Sequence, residues 1–175
     1  MTTVNAAVSP GRFKTALPHP HDWRTTDLDE VNKRRWRAQT EAPHVIRLDR
    51  RHPIFSNFRV GSNSGMAYDV EIRSLARRLF SCTCVDFRIN GLGTCKHVEA
   101  TLLYLEARYP RLFHLAQKIE SSFIDIVLDQ VAQTLRVERM ANGVPRSLRE
   151  YLASDGRIQS DDLEQALEQL RQTGI

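Results

Sequence analysis

The 175-residue chain predicts an α+β fold on three observations. Apolar residues alternate with polar ones in several runs between His44 and Cys84, which is the period of strands. Val98, Leu102 and Leu105 then recur at helical spacing. A second alternating pair, Phe123 to Leu128 and Thr134 to Met140, follows them. The expected architecture is a small antiparallel sheet with a stapled hairpin, then helices, then a second hairpin and a terminal helix.

Residues 1–20 hold Pro10, Gly11, Pro18 and Pro20 with no apolar periodicity and read as a mobile arm. Thr26 with Asp29 three residues on resembles a capping box, with Asp in place of the usual Glu or Gln, and predicts a short helix from Asp27 to about Ala38. Its apolar stripe is Leu28, Val31 and Trp36, and Lys33, Arg34, Arg35 and Arg37 form a solvated face. Strands are expected at His44 to Leu48, Ile54 to Val60, Met66 to Ile72 and Leu79 to Cys84, with a turn at Gly61-Ser-Asn-Ser-Gly65. Thr94-Cys95-Lys96 opens a helix buried through Val98, Leu102 and Leu105, and Pro110 suits the first position of another. Leu112, Leu115 or Ala116, and Ile119 are its expected inward residues. After the second hairpin come a short helix around Ser147 to Ala153 and a turn at Ser154-Asp155-Gly156. Ser160 or Asp161 caps a final helix with the stripe Leu163, Leu167 and Leu170. Three regions result: 1–40, a basic arm with a short helix; 44–118, the central domain; and 119–175, the second hairpin and C-terminal helices.

Every cysteine of the chain lies in Cys82-Thr-Cys84 and Cys95, and a histidine follows the last at His97. The pattern is C-x-C, ten residues, C-x-H. Alternate residues of a strand share a face, so Cys82 and Cys84 reach one ion, and Cys95 and His97 repeat the spacing. Asn90-Gly91-Leu92-Gly93 is the turn between the pairs. Three thiolates and one imidazole make a closed tetrahedral set of the kind that holds one structural Zn2+, with no position left for a catalytic water. Rival chemistries fail on spacing. Exchange disulfides use C-x-x-C, a deaminase needs P-C-x-x-C after H-x-E and no cysteine follows His97-Val98-Glu99, and an iron-sulfur centre normally wants four cysteines.

With Asp86-Phe87 after the second cysteine and Lys96 before the histidine, this arrangement resembles a SWIM-type zinc finger. The run from about residue 60 to 105 is similar to the finger ahead of the motor in bacterial Swi/Snf-type helicase-like ATPases. Family members often carry Pro after the second cysteine, where this chain has Val85. The resemblance implies a structural zinc domain that binds DNA or proteins. The implied partners are nucleic acid, DNA foremost, and a Swi/Snf-type ATPase motor or another protein subunit.

The formal net charge is +4, and the basic residues are concentrated. Lys33, Arg34, Arg35, Arg37, Arg47, Arg50 and Arg51 face only Glu41 and Asp49 in their stretch, whereas Asp161, Asp162, Glu164 and Glu168 make the end acidic. Arg73, Arg77, Arg78, Arg88 and Lys96 surround the cysteine motif and are the expected phosphate contacts. Arg88 and Lys96 also suit the role of offsetting the charge of about −1 left by three thiolates on a divalent ion. No Walker-type P-loop or serine elbow is present, and the remaining histidines are scattered, so no enzyme activity is expected. No apolar run reaches the length of a membrane span, and the first residues lack the pattern of a secretion signal, which together point to the cytoplasm. The alternative to nucleic-acid binding is a docking module that works through the Leu163, Leu167 and Leu170 stripe.

Overall fold

The structure, a computed structural model, describes residues 21–22, 24–62, 65–119, 121, 125–129, 131, 134–139, 149, 151–159, 164, 168 and 171. The chain divides into two compact units, Met1–Glu120 and Ser121–Ile175.

The first unit begins with α1 (Asp27–Glu41). The expected capping box is formed: the Thr26 side chain accepts from the Asp29 amide, and the Asp29 carboxylate accepts from the Thr26 amide at 2.8 Å. Asp27, Asp29 and Glu30 place negative charge where the helix dipole is positive. The helix runs on to Glu41, where Ala42 adopts a left-handed conformation ahead of Pro43. The expected stripe is corrected in part. Leu28 is 67% exposed, and the one fully buried side chain of α1 is Ala38.

Four strands form an antiparallel meander in the order β1 (His44–Arg47), β2 (Asn57–Gly61), β3 (Ala67–Ser74), β4 (Leu79–Cys82). The alternation sets the register, because slipping one residue would turn every apolar side chain to the wrong face. Phe58 stands opposite Val70, Val70 opposite Cys82, and Ile72 opposite Phe80. Phe58, Val60, Val70 and Ile72 are buried on one face. That face is covered by α3 (Lys96–Arg108), whose Val98, Leu102 and Leu105 are buried as the helical spacing predicts. Each such side chain removed from water contributes about 1.5–3 kcal/mol. α1 packs against α3, so the metal motif lies within a sheet-and-helix sandwich.

Two further elements depart from expectation. β4 stops at Cys82, and Cys84 caps a five-residue helix, α2 (Val85–Ile89), instead of continuing the strand. The short α4 (Pro110–Ala116) starts at Pro110 and buries Ala116 as expected, but its other buried residue is Phe113, and Leu112, Leu115 and Ile119 are exposed. With only two turns, its buried face is set by the large Phe113 ring.

In the second unit β5 (Asp125–Asp129) pairs antiparallel with β6 (Thr134–Arg139), the expected hairpin. Beyond it, the chain returns to pair with β6: the Val137 amide donates to the Gly156 carbonyl and the Ile158 amide to that of Leu135, both at 2.9 Å. The turn at residues 154–156 makes this return, and Gly156 holds a φ of +84°. Arg149 and Tyr151 lie in a tight 3₁₀ turn where a short helix is expected, and the rest of that stretch before Tyr151 is outside the described residues. Glu164, Glu168 and Arg171 are helical, in the stretch expected for the final helix. Leu163, Leu167 and Leu170, like the arm at 1–20, lie outside the described residues. No helix among the described residues is long and apolar enough to cross a membrane.

Candidate metal centre

Cys82, Cys84, Cys95 and His97 come together, all buried, with their ligand atoms within 4.8 Å of one another. Each arrives from a different local device. Cys82 ends the edge strand β4. The next residue holds the exit from the sheet: the Thr83 amide donates to the Asp69 carbonyl at 3.1 Å, and the Thr83 hydroxyl accepts from the Asp69 amide at 3.0 Å. That turn carries Cys84 to the N-cap of α2, where its sulfur accepts from the Phe87 amide at 3.3 Å. Cys95 is the N-cap of α3 but makes no side-chain cap, and His97 stands in the first turn.

The connection between the pairs is built on Asn90. Its side-chain amide donates to the Thr94 carbonyl at 2.8 Å and its side-chain oxygen accepts from the Leu92 amide at 2.8 Å. Gly91 and Gly93 hold φ values of +67° and +64°, a region that costs other residues a steric clash at Cβ.

The donor set fits one metal ion. Nδ1 of His97 lies 3.9 Å from the sulfurs of both Cys82 and Cys95. A tetrahedral ion with metal–sulfur bonds of about 2.3 Å and metal–nitrogen bonds of about 2.0–2.1 Å needs edges of about 3.5–3.8 Å, so contraction of the set by at most about 1 Å closes the site. The His97 ring is stacked on Tyr68, centroids 4.4 Å apart, and its Nε2 is buried with no hydrogen-bond partner. Stacking therefore orients the ring here, where metal-bound histidines usually rely on a hydrogen bond from the second nitrogen.

Electrostatics point the same way. Burial pushes the Cys84 thiol up from its ordinary range, and the Cys95 thiol is pushed further, first by its hydrogen bond with Cys82 and then by burial. Crowded, buried thiols stay protonated unless a cation balances them, and a divalent ion reverses that preference.

Three polar residues of the metal loop are tied to α1. Asp86, two residues after Cys84, takes Arg34 in a two-point contact at 3.1 and 2.7 Å. Lys96, between Cys95 and His97, pairs with Glu41. Glu99, two residues after His97, is wholly buried and accepts from the Thr94 hydroxyl at 2.8 Å, Arg35 at 2.9 Å and Arg78 at 3.4 Å. Burial opposes ionisation of Asp86 and Glu41, but the cations paired with them, Arg34 on Asp86 and Lys96 with Arg37 on Glu41, outweigh it and hold both carboxyls below the usual range. Arg34 and Arg35 are thus not a solvated face but clamps. Arg34 also pairs with Glu30 one helical turn back at 2.8 Å, but the carboxylates that tie the two arginines to the metal loop stand 52 and 64 residues away, and no local pattern marks them.

The five expected phosphate contacts lie on separate segments: Arg73 on β3, Arg77 and Arg78 in the turn after it, Arg88 on α2 and Lys96 at the start of α3. Arg73 pairs with Glu71 at 2.9 Å, Arg78 with Glu99, and Lys96 with Glu41. Arg77 and Arg88 are exposed, and neither has a carboxylate partner among the described residues. Lys96, expected to offset the charge of the site, shares its own charge with Glu41.

Comparison with protein-family models, with curated proteins and with solved structures found no match. The chemistry of the Cys3His cluster is therefore the main guide to function: a buried, closed donor set able to hold one structural metal ion.

Proposed function

We propose that the chain is a zinc-stapled, non-catalytic SWIM-type module that binds nucleic acid, DNA foremost, as an accessory of a helicase-like machine. The observation that carries it is the buried Cys3His set, whose sulfur-rich donors suit zinc and whose four ligands leave no open position for catalysis. Its frame of C-x-C and C-x-H is what resembles the SWIM-type finger. The excess of cations in the first half of the chain supports nucleic acid as the partner, since phosphates are bound through released counterions. Zinc has an architectural role: it ties the end of β4 to the start of α3 and so fixes the surface that the cations decorate.

Fluorescence anisotropy of labelled single- and double-stranded DNA against the zinc-loaded chain, over a salt series, tests this reading. Affinity that falls log-linearly with salt, with a slope of several released ions, supports it. Absence of binding at low salt removes the nucleic-acid role. The second reading, a protein-docking module, is favoured by the exposed Leu112 and Leu115 of α4 and would then stand alone.

A further inference from the structure

The cations near the metal are largely committed to carboxylates: Arg34 to Asp86, Arg35 and Arg78 to Glu99, Arg73 to Glu71, and Lys96 to Glu41. At the far end of α3 the situation is different. From His97 to Arg108 the helix rises about 16 Å, and there Tyr109 is flanked by two guanidiniums, Arg47 at 5.5 Å and Arg108 at 5.8 Å from its ring centroid. Arg47 is further fixed by donating to the Tyr109 hydroxyl at 3.0 Å and to the Arg50 carbonyl at 3.3 Å, which brings the chain at Arg50 alongside. Tyr104 and Tyr109 are half-buried against the core and give the cluster a firm base.

Like charges gathered on one ring repel each other unless an anion joins them. Among the described residues no carboxylate pairs with the guanidinium of Arg47, Arg50, Arg51, Arg108 or Arg111, although Asp49 accepts from the Arg51 backbone amide at 2.8 Å. The carboxylates in these two segments are Asp49, which faces His52 at 3.8 Å, and Glu106. Arg50, Arg51, Arg108 and Arg111 are all exposed. Planar guanidiniums such as those of Arg47 and Arg108, held by an aromatic ring and without a carboxylate partner among the described residues, match the phosphodiester in geometry and charge.

We infer that this arginine–tyrosine platform, Arg47 and Arg108 on the Tyr109 ring with the exposed Arg50 and Arg111 three residues further along the chain from each, is the principal phosphate-contacting surface for the backbone of a nucleic acid. The metal end of α3 is then the rigid foot of the module and the Tyr109 end its contact face. This inference rests on the nucleic-acid reading above and relocates its contacts away from Arg73, Arg77, Arg78, Arg88 and Lys96; Arg77 and Arg88 are exposed, but they stand on separate segments and neither is seated on an aromatic ring among the described residues.

The test compares two charge-reversal pairs in the full zinc-loaded chain, with a short labelled DNA oligonucleotide and anisotropy over a salt series. Arg108→Glu with Arg111→Glu should weaken binding about ten-fold or more and lower the salt slope by about two, one per lost phosphate contact. Arg77→Glu with Arg88→Glu should change affinity by no more than about two-fold, as expected of charges that contact no phosphate. Arg108→Gln with Arg111→Gln, a milder pair, should shift affinity in the same direction with unchanged zinc content and circular dichroism. If binding survives at Arg108 and Arg111 but is lost at Arg77 and Arg88, the platform is wrong and the nucleic-acid reading stands. If the wild-type chain binds no oligonucleotide at low salt, or prefers vesicles of anionic lipid, both fail.

Discussion

Replacing Arg35 by Met removes the shortest charged donor to a carboxylate that has no exposed surface. Glu99 would keep the Thr94 hydroxyl at 2.8 Å and a long contact to Arg78 at 3.4 Å. Deleting one partner of a fully buried ion pair costs about 3–5 kcal/mol, and a single hydrogen bond to a charged group contributes about 1.5–3 kcal/mol. Arg35 is itself 39% exposed and Arg78 remains, so the lower range applies, and about 2 kcal/mol is expected. Arg37→Met is the matched control. It breaks an exposed pair with Glu41 one helical turn away, for which about 0.3–0.5 kcal/mol is expected. Urea unfolding of the zinc-loaded chain, followed by fluorescence including that of Trp36 on α1, reads both variants as shifts in midpoint. In an Arg35→Met, Glu99→Met double variant the two losses should not add, because the carboxylate that suffered is gone. An Arg35→Met effect no larger than that of Arg37→Met would refute the idea that Glu99 clamps α1 to the metal loop.

Cys82→Ser should abolish metal binding and loosen the region from β4 to α3 while the β5–β6 hairpin keeps its amide chemical-shift dispersion; uniform loss across the chain would contradict a local role. Stability should depend on pH with opposite sign in the two metal states. In the metal-free protein the raised Cys84 and Cys95 thiols make stability full below the unfolded thiol range, near pH 8.5, and lost as pH rises through and above it. In the loaded protein protons compete with the ion, so stability falls as pH falls; melting temperatures that move in parallel for both forms would rule this out. Gly156→Ala should destabilise the second unit by about 1–2 kcal/mol, because φ is +84° and the added Cβ would sit 2.8 Å from the Val137 carbonyl. Faster hydrogen exchange at the Val137 amide, which donates to Gly156, checks it.

What the sequence made legible was local. Alternation at Phe58, Val60, Val70 and Ile72 gave the sheet and its buried face, the Thr26–Asp29 pair gave the start of α1, and the spacing of three cysteines and His97 gave the cluster. Each of these signals is complete within a few residues. The features that escaped depend on partners distant in sequence or on packing. Arg34 and Arg35 look like a solvated run until Asp86 and Glu99 are placed against them. Cys84 has strand spacing from Cys82, yet the backbone turns at Thr83 because Asp69 of β3 captures it. On α4 the expected stripe held at Ala116, but Phe113 reached the core in place of Leu112 and Ile119. The pairing of β6 with residues 156–158 had only the turn at Gly156 as a local sign.

The central claim, that Cys82, Cys84, Cys95 and His97 hold one zinc ion, is tested most directly by metal analysis of the purified chain alongside cobalt substitution. One zinc per chain, lost in Cys95→Ser, is expected, together with the thiolate-to-cobalt charge-transfer bands and tetrahedral d–d absorption of a sulfur-rich site after exchange. A chain that purifies without zinc, takes up none on reconstitution and keeps its thiols freely reactive to alkylation would contradict it.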